Sequence, residues 1–133
     1  MSVPILIAGD DPEWLDHVRR LVEREGADAV VAFDALEAMR QFTLREPMLT
    51  LLHVNPSAGL DTELCRSMKT AGPGRLRPVV VIAPRSARSA FFDAGCDAFL
   101  DFQSGDQLIL RAVRRVLALH RPPRRLAAVN VSS

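Results

Sequence analysis

The chain is short of aromatic residues, has almost no cysteine and contains no long apolar run, and each shortage removes a class of protein. Aromatics are 5% of the 133 residues, and none is interleaved with the arginines near the C-terminus. Single-stranded nucleic-acid recognition stacks bases on such rings, so it is a poor fit. Cys65 and Cys96 form no recognisable framework, and two free thiols suit a reducing cytosol. No apolar run approaches the roughly 18 to 20 residues needed to cross a bilayer. The opening MSVPILIAGDDPEW lacks a basic n-region and a small-residue cleavage site, so no secretory signal is read there and a cytoplasmic location is expected. Gly9 lies in no G-x-G-x-x-G or P-loop pattern, leaving nucleotide binding unsupported. No Ser-His-Asp arrangement follows from the spacing either.

What is present describes an ordinary folded domain. Apolar residues make up 48% and charged residues 25%, as in a soluble globule rather than a disordered segment. The length fits one domain with a sizeable core. Net charge is +1, yet 6 of the 17 basic residues lie in residues 106–133 against the single acid Asp106. Such a basic end suits phosphates or an acidic partner; the plainer account is a solvated helix face running into a linker. Residues 1–120 are expected to form the domain and 121–133 a basic tail or linker, beginning near Pro122-Pro123.

Short β-rich runs alternate with helical-period segments five times. Val3 to Ala8 reads as a buried strand, continuous, branched and too short for a helix. Asp11-Pro12-Glu13 opens a helix with Leu15, Val18, Leu21 and Val22 as its apolar stripe, stopped by Gly26. Ala29 to Phe33 reads as the second strand. Asp34 caps a second helix with Leu36 or Ala35, Ala38, Met39 and Phe42 facing inward. Met48 to Val54 is the third strand, and Asp61 to Thr70 a third helix with Leu64, Cys65 and Met68 inside. Ala71 to Pro78 is a loop by composition. Val79 to Ala83 is the fourth strand, followed by a short helix from about Ser86 to Ala94. Ala98 to Leu100 is the fifth strand. Ser104 to Gln107 has capping-box spacing for a last helix through Leu108, Ala112, Val113, Val116 and Leu119. The alternation predicts a flavodoxin-like (βα)5 doubly wound α/β sandwich, a five-stranded parallel sheet with helices on both faces.

Over roughly residues 3 to 119 the chain resembles a response-regulator receiver domain. ILIAGDDPEWL stands where the family reads close to ILIVDDDPxxL, and PMLTLLHVNP where it reads close to PDLILLDLxxP. ELCRSMK, RPVVVIAP and AGCDAFL follow in the matching order, the last where the family has AGADDYL. The resemblance implies a site in which two carboxylates and an acceptor Asp hold Mg²⁺, the acceptor attacks phosphorus, and a Lys neutralises charge. A Ser or Thr then binds the phosphoryl group and draws an aromatic side chain inward.

Carried over residue by residue, that site is mostly gone. The acid positions fall on Gly9 and Asp10, with Asp11 as a displaced alternative. The acceptor falls on His53. The hydroxyl position is Ala83, thirty residues later, and the Lys position is Phe102, seven after Gly95. The aromatic switch position is occupied, by Phe99. The stretch from Ala83 to Gly95 is about three residues shorter than usual, close to one helical turn, and Pro56 comes three residues after His53, where four is common.

Together these departures predict a degenerate, or pseudo-receiver, domain that binds a signalling protein without phosphorylation at position 53, without catalysis and without a cofactor, Mg²⁺ being doubtful. His53 is read as a neutral imidazole hydrogen-bonded to backbone or to Asp10, and Asp10 as a helix-start acid with at most weak cation binding. Phe102 is expected to plug the space a Lys would cross, and Trp14 to be partly exposed or packed near the pocket mouth. The contact surface is placed on Arg85, Arg88, Phe99, Arg111, Arg114 and Arg115, with a homodimer through the fourth and fifth helices implied by the resemblance alone. Two other readings stay open: a metal- or anion-sensing switch using Asp10, Asp11 and His53, and a DNA-associated module using the basic C-terminus. Membrane attachment is not expected.

Overall fold

Five short parallel strands and five helices build the domain, described by a computed structural model over residues 3–55, 62–71 and 76–120. The strands are β1 (Pro4–Ala8), β2 (Asp28–Ala32), β3 (Leu49–His53), β4 (Val79–Ala83) and β5 (Ala98–Asp101). The helices are α1 (Pro12–Arg24), α2 (Ala35–Arg45), α3 (Thr62–Thr70), α4 (Arg88–Asp93) and α5 (Asp106–His120). The sheet order is β2-β1-β3-β4-β5, with every neighbouring pair parallel. This is the expected flavodoxin-like sandwich. Pro56, Asp61, residues 72–75 and the expected tail 121–133 lie outside the described residues.

Strands that are branched and apolar along most of their length can be buried on both faces, as the central β1, β3 and β4 are. Leu6, Ala8, Leu52, Val79 and Val81 face one core with Ala38, Phe42, Leu64, Cys65, Met68 and Phe91. Ile5, Ile7, Leu49, Leu51, Val80 and Ile82 face the other with Leu15, Val18, Val22, Ile109 and Val113. Each fully buried Val, Leu or Ile contributes about 1.5–3 kcal/mol through removal from water. Helix α1 starts where Asp11 accepts from the backbone N–H of Glu13 and Trp14, and α2 where Asp34 accepts from that of Glu37. Gly95, at φ +100°, turns the chain from α4 into β5.

Several boundaries move from the sequence expectation. The second strand ends at Ala32, leaving Phe33 exposed, and Ala35 rather than Leu36 turns inward. The short fourth helix begins as a 3-10 turn at Arg85–Ala87 before α4 proper, which is six residues long. Helix α5 buries Ile109, Val113, Val116 and Leu117, so Leu108 and Leu119, expected inside, are exposed. The reason is rotation: α5 packs toward α1, and the 108/112/119 side is left looking over the free edge at β5. There it lines an apolar groove of about 450 Å³ with Leu49, Val80, Ala98 and Leu100.

Polar ties fix the ends. Lys69 Nζ donates to the Arg77 carbonyl at 2.9 Å and to Asp97 Oδ2 at 2.7 Å, and the same carboxylate oxygen accepts from Val79 N–H at 2.8 Å. One carboxylate thus joins α3, β4 and β5. Arg114 donates to both Glu25 oxygens, at 2.9 and 3.2 Å, and His17 Nε2 lies 2.9 Å from Asp106, tying α5 to α1. Cys65 and Cys96 are both buried, and burial pushes their thiols up to about 12 and about 11.

Thr50 is the one buried polar residue among the described residues, and its Oγ1 has no hydrogen-bond partner there. A stranded hydroxyl costs on the order of 1–3 kcal/mol. Thr50→Val keeps the shape and removes the hydroxyl, so it is expected to stabilise the domain by about 1 kcal/mol in urea unfolding; an equal loss would show that the hydroxyl is satisfied.

Candidate functional site

Parallel α/β sheets present their ligand sites at the carboxyl ends of the strands, near the point where strand order reverses. Here that point lies between β1 and β3. Gly9 follows β1, His53 ends β3, Ala83 ends β4, and Phe102 follows β5, its N–H donating to the Ala83 carbonyl at 3.2 Å. The fold therefore gathers the positions that spacing picked out along one edge of the sheet.

What fills that edge is a stack of rings. The His53 imidazole lies 4.3 Å, centroid to centroid, from the Trp14 ring at an interplanar angle of 32°. On its other side Phe102 stacks at 4.9 Å and 17°. Trp14 is held by the first turn of α1 and packs on the α1/α5 core. Phe102 is 40% exposed and sits on the turn between β5 and α5. Ring pairs at these separations add about 0.5–1.5 kcal/mol beyond their buried area.

Gly9 sits close against residue 53. A Cβ at residue 9 would lie 3.1 Å from His53 Cβ and 3.2 Å from its carbonyl oxygen, tight approaches, and 3.7 Å from Nδ1, an ordinary van der Waals contact. Trp14 as the third ring was not singled out from sequence beyond a place near the pocket mouth; its signal was position, four residues after Asp10 on the turn that faces His53.

The expected hydrogen bond of His53 to backbone or to Asp10 is absent: Nδ1 is buried with no partner among the described residues. Burial holds the imidazole below its ordinary value of 6.5, outweighing the raising effect of Asp11 and Asp10. Asp11 is occupied as the α1 cap, and Asp10 is exposed. Among the described residues no group of three His, Cys, Asp or Glu converges on a metal position. Gly9 brings no side-chain oxygen, and His53 brings a stacked nitrogen where a carboxylate would be needed, so these side chains do not fit Mg²⁺, a hard cation that seeks oxygen. The switch reading built on Asp10, Asp11 and His53 loses its three-ligand basis.

The remaining candidates divide between two surfaces. Arg85 pairs with Asp101 at 3.3 Å, Arg88 lies over the Phe92 ring at 4.9 Å, and Phe99 is half-buried against Phe91 and Phe92. Arg111 and Arg115 border the groove beside β5. Arg114 does not belong with them: a turn of helix geometry points it to Glu25, where it is held in a two-pronged ion pair.

The sheet order, the crossovers and this edge define a receiver-type α/β domain. The chain has the receiver fold and is similar in sequence to response regulators. It is 30% identical over 125 residues to the response regulator MprA of Mycobacterium tuberculosis, and 29% identical over 120 residues to MprA of Mycobacterium ulcerans. The first match covers 92% of this chain and 54% of the relative, so the chain spans about half the length of that protein. Its fold matches the signal receiver domain of a histidine kinase from Syntrophus aciditrophicus with a TM-score of 0.79 at 24% identity, over 90% of this chain and 93% of that one. A CheY-like receiver domain from Methanospirillum hungatei matches with a TM-score of 0.76 at 23% identity, over 89% and 95%. No protein-family profile matches the chain.

Gly9→Ala is expected to destabilise the domain by about 1–3 kcal/mol, the usual range for overfilling a packed site, and to shift the emission of Trp14 as the stack is displaced. A neutral effect in denaturant unfolding combined with unchanged emission would show that His53 does not depend on the space at residue 9.

Proposed function

We propose that this receiver domain is a pseudo-receiver: it serves two-component-type signalling as a protein-binding module, with no phosphoryl transfer at position 53 and no catalysis of its own. The observation that carries the reading is the Trp14–His53–Phe102 stack standing on Gly9. A phosphorylation site at this edge needs a free carboxylate, a metal held by oxygens, a hydroxyl and a cation. Among the described residues the positions at this edge hold three rings, a glycine and Ala83, with Asp10 exposed beside them. Without Mg²⁺ to place, Asp11 is free to serve α1. The absence of a membrane-length helix among the described residues fits a cytoplasmic partner system.

The contact surface of this reading is the β5 side of the molecule: Arg85, Arg88 and Phe99 around the short α4, and Arg111 and Arg115 on α5. Arg114 is withdrawn from it by Glu25. Residues 121–133, which add Arg121, Arg124 and Arg125, are taken as a tail or linker. The basic end suits an acidic protein surface, and among the described residues no ring or groove feature favours nucleic acid.

Two measurements test the proposal. Incubated with a small phosphodonor and Mg²⁺, the chain is expected to show no phosphoryl mass gain in intact-mass spectra. The combined Gly9→Asp, His53→Asp, Ala83→Thr and Phe102→Lys variant is expected to gain one. Phosphoryl transfer to the unaltered chain would overturn the reading. Separately, Arg111→Glu with Arg115→Glu is expected to weaken binding of the signalling partner at least about tenfold, equivalent to roughly 1.4 kcal/mol, in calorimetric titration. Unchanged affinity would move the contact surface off α5.

A further inference from the structure

The His53 ring is clamped on both faces, but its two clamps are not equally anchored. Trp14 belongs to a thirteen-residue helix packed on the core. Phe102 is partly exposed on the turn after β5, where Asp101 Oδ1 accepts from Gln103 N–H at 2.7 Å and the Asp101 carbonyl accepts from Ser104 N–H at 2.9 Å. Any movement demanded by the imidazole falls on the Phe102 side.

We propose that His53 is a proton-operated latch: as the neutral imidazole it holds the turn after β5 against the ends of β1 and β3, and as the imidazolium it releases that turn. The step is uptake of one proton from water by the ring. In the neutral ring one nitrogen carries hydrogen and the other a lone pair, so buried Nδ1 can remain without a donor. In the imidazolium both nitrogens carry N–H, so Nδ1 becomes a buried donor facing Gly9, with nothing among the described residues to accept it.

The groups around the ring set the balance. From the turn before α1, Asp10 and Asp11 favour the charged form; Asp11 is already engaged by two backbone N–H groups. From α1 comes Trp14, and from β4 the neutral Ile82 and Ala83. From the end of β5 come Phe102 and Asp101, whose carboxylate faces Arg85. The two ring faces attract an imidazolium, yet they supply no acceptor for Nδ1, and burial outweighs the carboxylates. To satisfy Nδ1 the ring must tilt toward water, and Phe102 and its turn must give way. Neutral His53 is favoured in the folded state, so acidification through the range below 6.5 opens the latch and rising pH closes it.

Trp14 is the sole tryptophan, so its emission reads the stack directly. In the full chain, titrated from about pH 8 to about pH 5 across the ordinary histidine range, emission is expected to follow one sigmoid with a midpoint below 6.5. His53→Gln should abolish it. His17→Asn should keep it, because His17 is one turn further along α1 and pairs with Asp106. At acid pH, amides 102–105 should exchange severalfold faster in the native chain than in His53→Gln at the same pH, with far-ultraviolet circular dichroism unchanged. Phe102→Leu, which leaves His53 in place, should raise the midpoint toward 6.5 and remove the pH dependence of the turn. A flat titration, a transition that survives His53→Gln or vanishes in His17→Asn, or turn exchange insensitive to pH would each overturn the latch.

Discussion

The His53 imidazole is held between Trp14 and Phe102, beside a residue 9 that carries no side chain. β1 and β3 are neighbours in the sheet, so whatever follows β1 and whatever ends β3 must share one small volume. With a Cβ at residue 9 only 3.1 Å from His53 Cβ, that volume does not admit two ordinary side chains without adjustment. Glycine removes that close contact. Two rings close over the His53 imidazole, one from α1 and one from the turn after β5. The end of β3, the first turn of α1 and the turn after β5 are thereby joined through apolar and π contact.

The opposite end of the sheet is organised by charge. Asp97 accepts from Lys69 and from the first N–H of β4, and Arg77 reaches back to the Glu46 and Pro47 carbonyls. Those contacts place β4 and β5 relative to α3 and to the entry of β3. On the α5 side, Arg114 and His17 pull the last helix toward α1. Exposed pairs of this kind are each worth little, typically well under about 1 kcal/mol. The burial of Ile109, Val113, Val116 and Leu117 sets which side of α5 faces the β5 edge, and these pairs lie alongside it.

The five strands and the order of helices were legible in the sequence, since each strand is a short branched run and the alternation admits few topologies. Val79 to Ala83 was read to the residue because Pro78 and Pro84 bound it. The strand at Ala29 to Phe33 slipped by one, because pattern alone does not say whether a terminal Phe finishes a strand or stands free. Leu108 and Leu119 were misplaced for a different reason: their spacing fits an inward stripe, but the stripe that packs is Ile109, Val113, Val116 and Leu117. At the site, spacing picked out Gly9, His53, Ala83 and Phe102, and the sheet brings these positions to one edge. The stack was not legible, since it depends on where the Trp14 and Phe102 rings lie against His53. The fate of Nδ1 was misread as well, because hydrogen bonding is decided by side-chain tilt that spacing does not carry.

Cys65 and Cys96 have a practical consequence. Thiols react as thiolates, and both of these are buried, with values pushed to about 12 and about 11. Near neutral pH an alkylating reagent finds almost no thiolate in the folded domain. A cysteine introduced on the outer side of α5 or on the turn after β5 would take up a maleimide dye selectively, with both native cysteines left in place. Site-specific labelling for distance measurements could therefore use the natural background, and modification of the native pair would itself report unfolding.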